Sequence, residues 1–152
     1  MMENSFQYIT FFLDQEEYAL ELLKIKEIIA FRPLTRVPGM GGFIKGILNL
    51  RGVILPVFDP REKFTLPPRP YEAHTVILIL ELAGRLVGLI VDRASDVVDL
   101  AQESIQPPPA FSTPIQKDYI QGIGSVEDRL VILLNADRLL NEQEIEALDK
   151  TG

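Results

Sequence analysis

Phe43-Ile44-Lys45-Gly46-Ile47-Leu48-Asn49-Leu50-Arg51-Gly52-Val53-Ile54-Leu55-Pro56-Val57-Phe58-Asp59 is the stretch on which the fold turns. Two aliphatic, β-rich runs meet at Arg51-Gly52, where glycine supplies the positive φ that a two-residue reversal needs. The segment therefore predicts a hairpin carrying one arginine at its bend. A guanidinium presents five donors in a planar fork and stays charged at neutral pH, so it demands a carboxylate, and Glu27 is the candidate.

Towards the N-terminus, Phe6, Tyr8 and Phe11 to Leu13 lead into an acidic turn at Asp14-Gln15-Glu16, and Tyr18 to Leu22 return as a second strand. Ile25, Ile28 and Ile29 recur at helical offsets, so one or two helical turns are expected there, with Glu27 off the apolar stripe. Thr35 to Val37 reads as a short extended piece stopped by Pro38-Gly39, and Gly41-Gly42 loosens the approach to the hairpin.

Towards the C-terminus, Pro60-Arg61-Glu62-Lys63 suits a helical turn, and Pro67-Pro68-Arg69-Pro70 is an extended spacer and the best internal boundary. Thr75 to Leu82 and Arg85 to Val91 flank Ala83-Gly84 as a hairpin so apolar that both its faces should be covered. A strand follows at Ser95 to Leu100, and Pro107-Pro108-Pro109 stiffens a loop reaching about Lys117. Strands about Tyr119 to Val126 and Arg129 to Leu134 turn at Glu127-Asp128. After them come a helical turn over Ala136 to Leu140 and a capping box, Asn141 with Glu144, before a short amphipathic helix. Many short strands with little helix predict a mainly β fold of barrels or a sandwich. No internal sequence repeat is evident.

Composition narrows the function. The 152 residues are 47% hydrophobic, enough for one core or two small units sharing a further interface. A net charge of −7 argues against a phosphate-backbone partner, and the basic cluster Lys24, Lys26, Arg32, Arg36 and Lys45 lacks aromatic interleaving. No cysteine is present, the start has no basic n-region, and no apolar run approaches the roughly 20 residues needed to cross a bilayer, so a cytoplasmic protein is expected.

Enzymatic signatures are weak. His74 has no cysteine to pair with, and the serines lack a Gly-x-Ser-x-Gly setting. Asp92, Asp96 and Asp99 have no calcium-loop spacing, and Lys45-Gly46 reverses the phosphate-loop order. No catalytic, metal or cofactor residue is expected. What remains is an apolar patch of Ile25, Ile28 and an aliphatic such as Val87 or Val97, rimmed by Glu27 and Arg51, the composition of a protein contact.

Several motifs in order carry a resemblance: Glu17-Tyr18, Leu23-Lys24-Ile25-Lys26-Glu27-Ile28, Thr35-Arg36-Val37-Pro38, Phe43-Ile44-Lys45-Gly46 and Asn49-Leu50-Arg51-Gly52. Pro56-Val57, Val87-Gly88-Leu89-Ile90-Val91-Asp92, Gly122-Ile123-Gly124 and Leu139-Leu140-Asn141 continue it. Through them nearly the whole chain resembles the CheW family of bacterial chemotaxis adaptors. It departs from the family pattern at Pro60 and at Pro107-Pro108-Pro109.

The resemblance implies two SH3-like five-stranded β-barrels packed together, with a core in each and another between. Residues 1–152 would form one CheW-like domain, with subdomains near 14–66 and 72–135 and a C-terminal helix at 136–149. It implies no enzymatic activity. The implied partners are the cytoplasmic tip of chemoreceptors, held in a groove between the barrels, the regulatory domain of the histidine kinase CheA, and further CheW copies in rings. Ile25, Glu27 and Arg51, with Val76, Val87, Gly88 and Val97, match receptor or kinase contacts, and Phe111 matches a ring contact. The implied location is the cytoplasm, at membrane receptor arrays. A non-flagellar chemosensory pathway controlling pili or a second messenger is an alternative, and a small-molecule-binding or enzymatic β-barrel is a remote one.

Overall fold

The computed structural model describes residues 5–39, 44–61, 63–108, 119–141 and 144–146. Phe111, Gly41-Gly42 and residues 147–149 of the expected terminal helix lie outside them. The described residues hold eleven strands: β1 (Ser5–Leu13), β2 (Glu16–Glu21), β3 (Ile25–Ala30), β4 (Ile44–Leu50), β5 (Val53–Phe58) and β6 (Val76–Leu82). They continue with β7 (Arg85–Val91), β8 (Arg93–Ala101), β9 (Ile105–Gln106), β10 (Ile120–Val126) and β11 (Arg129–Leu134). Single tight helical turns stand at Leu22–Lys24, Gln102–Ser104 and Ala136–Arg138.

The fold is mainly β, in two packed sheets of order β3-β6-β7-β5-β4 and β8-β1-β2-β11-β10-β9. The sheets do not divide at the proline spacer. β6 and β7, expected with the later strands, pair with β3 to β5, while the N-terminal hairpin β1–β2 pairs with β8 and β11. Residues 25–91 thus supply one sheet, set between the two ends of the chain that supply the other. The reason lies in β5 and β7: both are apolar on two faces, and pairing them in parallel hides backbone that a boundary at the spacer would leave at an edge.

Each sheet closes on itself through a short bridging piece. Beyond β3, Thr35 exchanges both backbone hydrogen bonds with Ile47 of β4, at 3.0 and 2.8 Å. Beyond β8, the two-residue β9 pairs with Ile123 and Gly124 of β10. At each closure a glycine lets two backbones meet. A Cβ on Gly46 would lie 2.8 Å from the Thr35 carbonyl oxygen, and one on Gly122 would lie 2.6 Å from that of Gln106. We call the sheet of β3 to β7 the central barrel and the other the terminal barrel.

The barrels are structural repeats in permuted order. Gly46 to Asp59 and Gly122 to Asn135 align without a gap, each a hairpin whose second strand pairs in parallel with a second hairpin. Val57 opposite Gly88 corresponds to Leu133 opposite Ala19. The hairpin β6–β7 therefore matches β1–β2, and β3 matches β8, each with an irregularity at the same place in its pairing.

Three cores follow from strand alternation. On β6, Ile77 and Ile79 enter the central barrel, whereas Leu78, Leu80 and Leu82 enter a core shared by both. Tyr8, Ala19, Leu100, Val131 and Leu133 fill the terminal barrel. Phe11, Leu13, Tyr18, Leu20, Phe58, Leu89 and Leu139 are among the side chains buried between the barrels. A core in each barrel and one between is what the resemblance implied.

Residues 25–30 are a strand, not helical turns. Ile25, Ile28 and Ile29 mimic a helical stripe, but an irregular register between Ile25 and Glu27 inserts a residue opposite β6. Ile29 turns into the central barrel and Ile28 outward.

Candidate protein-docking site

Arg51 and Gly52 form the bend between β4 and β5, with left-handed φ of 51° and 89°. The Gly52 N–H donates to Asn49 Oδ1 at 2.8 Å, which pins the turn. From that bend Arg51 reaches the opposite edge of the sheet. Its NH1 donates to Glu27 Oε2 at 3.2 Å, and its NH2 bonds Oε1. A two-pronged acid–arginine contact thus joins β3 to the β4–β5 bend at the mouth of the central barrel.

The pair is open to water. The Arg51 side chain is 70% exposed and that of Glu27 33%. The hydrogen bond from Arg51 holds the Glu27 carboxyl below the usual glutamate range, aided by the charges of Arg51 and Arg32 and opposed by partial burial. The same bond to Glu27 raises the guanidinium pKa. Both groups are charged at neutral pH.

Around them stand exposed aliphatics: Ile28 on β3, and Val53 and Ile54 just past the bend. Ile25 is half-buried against the shared core, and Val76 is half-buried at the start of β6, opposite Ala30. Val87 and Gly88 do not belong to this surface. Val87 is fully buried in the shared core, and Gly88 lets β7 approach β5, since a Cβ there would lie 2.9 Å from both Ile77 and Val57 methyls. Continuous burial from Val87 to Val91, on a strand covered on both faces, gives them packing roles. Val97 is exposed but sits on β8 of the terminal barrel, opposite Ile9.

The repeat explains Val97 and reveals what the sequence reading missed. Val97 occupies the position of Ile28, Leu130 that of Ile54, and Asp96 that of Glu27. Ile28, Ile54, Val97 and Leu130 are all exposed. At the terminal barrel's mouth Arg129, at the position of Val53 and not of Arg51, bonds Asp96 Oδ2 at 3.2 Å, so an acid–arginine pair recurs there from a different place on the hairpin. Gly46-Ile47 and Gly122-Ile123 were the signal, legible once the two hairpins are laid over each other.

Among the described residues no group of acidic or histidine side chains could hold a metal ion, and no helix is long and apolar enough to cross a membrane. His74 is exposed at a turn, 3.3 Å from Glu72. The family model of the CheW-like domain matches residues 7–144. The chain belongs to the CheW family. It is 38% identical over 146 residues to the chemotaxis protein CheW of Klebsiella aerogenes, covering 96% of this chain and 88% of that one. To CheW of Bacillus subtilis it is 35% identical, covering 89% and 86%. The crystal structure of the scaffolding protein TtCheW from Thermoanaerobacter tengcongensis superposes with a TM-score of 0.83 at 32% identity, covering 91% of this chain and 94% of that one.

Proposed function

We propose that this CheW-family chain is a non-enzymatic adaptor that couples chemoreceptors to the regulatory domain of the histidine kinase CheA, in the cytoplasm at membrane receptor arrays. The observation that carries the reading is the Glu27–Arg51 pair at the open mouth of the central barrel, ringed by Ile28, Val53 and Ile54. Aliphatic side chains around a charge pair give a partner both apolar area and a fixed orientation. Ile25, Val76 and Val97 extend the contact, and Phe111 is assigned to ring contacts between CheW-like domains. Holding receptor and kinase together turns each weak contact into one at high effective concentration.

Pull-down with receptor fragments and kinase at physiological salt tests this. Arg51→Ala is expected to fold, with at most a slightly lowered melting temperature, and to lose binding. The double swap Glu27→Arg with Arg51→Glu is expected to recover part of what each single substitution loses. Full binding by Arg51→Ala would remove the pair from the docking surface. Absence of binding by the unaltered chain would reject the adaptor reading.

A further inference from the structure

Two stretches of chain cross between the barrels, and an ion pair ties each crossing. Residues 22–24 run from β2 to β3, and there Lys24 Nζ donates to Asp137 Oδ1 at 3.0 Å and Oδ2 at 3.3 Å. Asp92 alone separates β7 from β8, and its Oδ1 accepts from Arg61 NH2. Arg61 follows Phe58, the end of β5, at the interval by which Asp137 follows Leu134, the end of β11. The two ties therefore share one matched end, Arg61 and Asp137, with the charge reversed, while at the other end Lys24 stands one residue beyond Leu23, the match of Asp92.

They are unequal in strength. Arg61 is buried, donates from NH1 to the Pro67 carbonyl oxygen at 3.1 Å, and donates its backbone N–H to Asp59 Oδ1 at 3.0 Å. Asp92 Oδ2 further accepts from the Asp14 N–H at 2.6 Å and from Arg69 NH1 at 3.5 Å. The backbone N–H of Asp92 donates to Phe12 at 2.9 Å. That crossing is bound to both barrels at once. Lys24 is half-buried and Asp137 exposed, so water competes for their contact and salt screens it.

The shared core holds the barrels together but resists sliding less than separation, because the reward for burying apolar area has little directionality. Directional polar ties set the angle. We propose that the mutual setting of the barrels is adjustable about Asp92, with the Lys24–Asp137 pair as the contact that yields. The motion is a small shear across the shared core, pivoting on the β7–β8 crossing. It goes beyond the adaptor reading and requires no partner.

The chain contains no cysteine, so Ile54→Cys and Leu130→Cys give one spin label on each barrel. Double electron–electron resonance on the whole 152-residue chain then reads the distance between them. Lys24→Glu is expected to widen the distance distribution relative to the labelled parent. Lys24→Glu with Asp137→Lys is expected to restore the parental width, and high salt to widen the parent towards the single variant. Asp137→Asn, which keeps the side-chain size, is expected to widen it as well and serves if Lys24→Glu does not fold. Unchanged widths in both single variants would overturn the proposal, as would a charge swap that stays as wide as Lys24→Glu. Neither result depends on whether receptor or kinase binds.

Discussion

The two barrel mouths share a frame and differ in how they hold their arginine. Arg51 of the central barrel has Glu27 as its carboxylate and stands 70% exposed. Arg129 of the terminal barrel bonds Glu17 through Nε at 2.8 Å, Asp96 at 3.2 Å and Glu127 at 3.5 Å, and its side chain is only 33% exposed. The bond to buried Glu17 is the largest cause of its raised pKa. The interiors differ accordingly. Ile77, Ile79 and Leu86 of the central barrel correspond to Tyr8, Thr10 and Glu17 of the terminal one. A buried acid below the terminal mouth draws its arginine inward, whereas an apolar interior leaves Arg51 turned towards solvent and available to a partner. The gapless alignment puts Glu127 at the position of Arg51 and Arg129 at that of Val53. The duplicated frame thus sets where the acid stands, Asp96 for Glu27, while each arginine reaches it from a different place on its hairpin and the residues beneath decide how exposed it is.

The strongest challenge to the comparison is whether the barrels are separate at all. Phe58→Ala, which empties a buried position of the shared core, is expected to cost about 3–5 kcal/mol and to leave one cooperative urea transition. Two transitions, read by circular dichroism and hydrogen exchange, would show the barrels unfolding as independent units. Next in size are the closing glycines. Gly46→Ala and Gly122→Ala are each expected to cost about 1–3 kcal/mol, because the new methyl meets a backbone carbonyl that cannot move aside. Similar losses in thermal or urea melts support the repeat, and a loss at one site only would break it.

The smallest expected effect separates the mouths electrostatically. Glu27 has a depressed pKa in the folded chain, so what its pair with Arg51 contributes is complete above the ordinary glutamate pKa and disappears as pH falls through the depressed value. A carboxyl-carbon NMR titration is expected to place the Glu27 midpoint below that of a glutamate in an unfolded peptide, and Arg51→Ala should return it upward. An unshifted midpoint would mean that the pair does not persist in solution.

Much of this was legible in the residues. Arg51-Gly52, Ala83-Gly84 and Glu127-Asp128 stand at two-residue bends with positive φ, where turn chemistry placed them. Asn141 and Glu144 exchange the two hydrogen bonds of a capping box, at 2.9 and 2.8 Å. The Pro60 turn returns a hydrogen bond from the Phe64 N–H at 3.0 Å. The acid chosen for Arg51 is the one it meets. Ile25 to Ile29 misled because periodicity assumes an uninterrupted register, and one inserted residue in a strand reproduces helical offsets. Val87 and Gly88 misled because a strand buried on both faces gives no alternation from which to read exposure.

Local chemistry, written in adjacent residues, determined the bends, the caps, the apolar strands and the demand of Arg51 for a carboxylate. Which strands pair, that the chain's two ends share one barrel, and that Asp96, in the place of Glu27, also meets an arginine were decided by tertiary structure. Those relations join residues far apart in the chain and in permuted order, and they exist only once burial of two-faced strands such as β6 and β7 has chosen their neighbours.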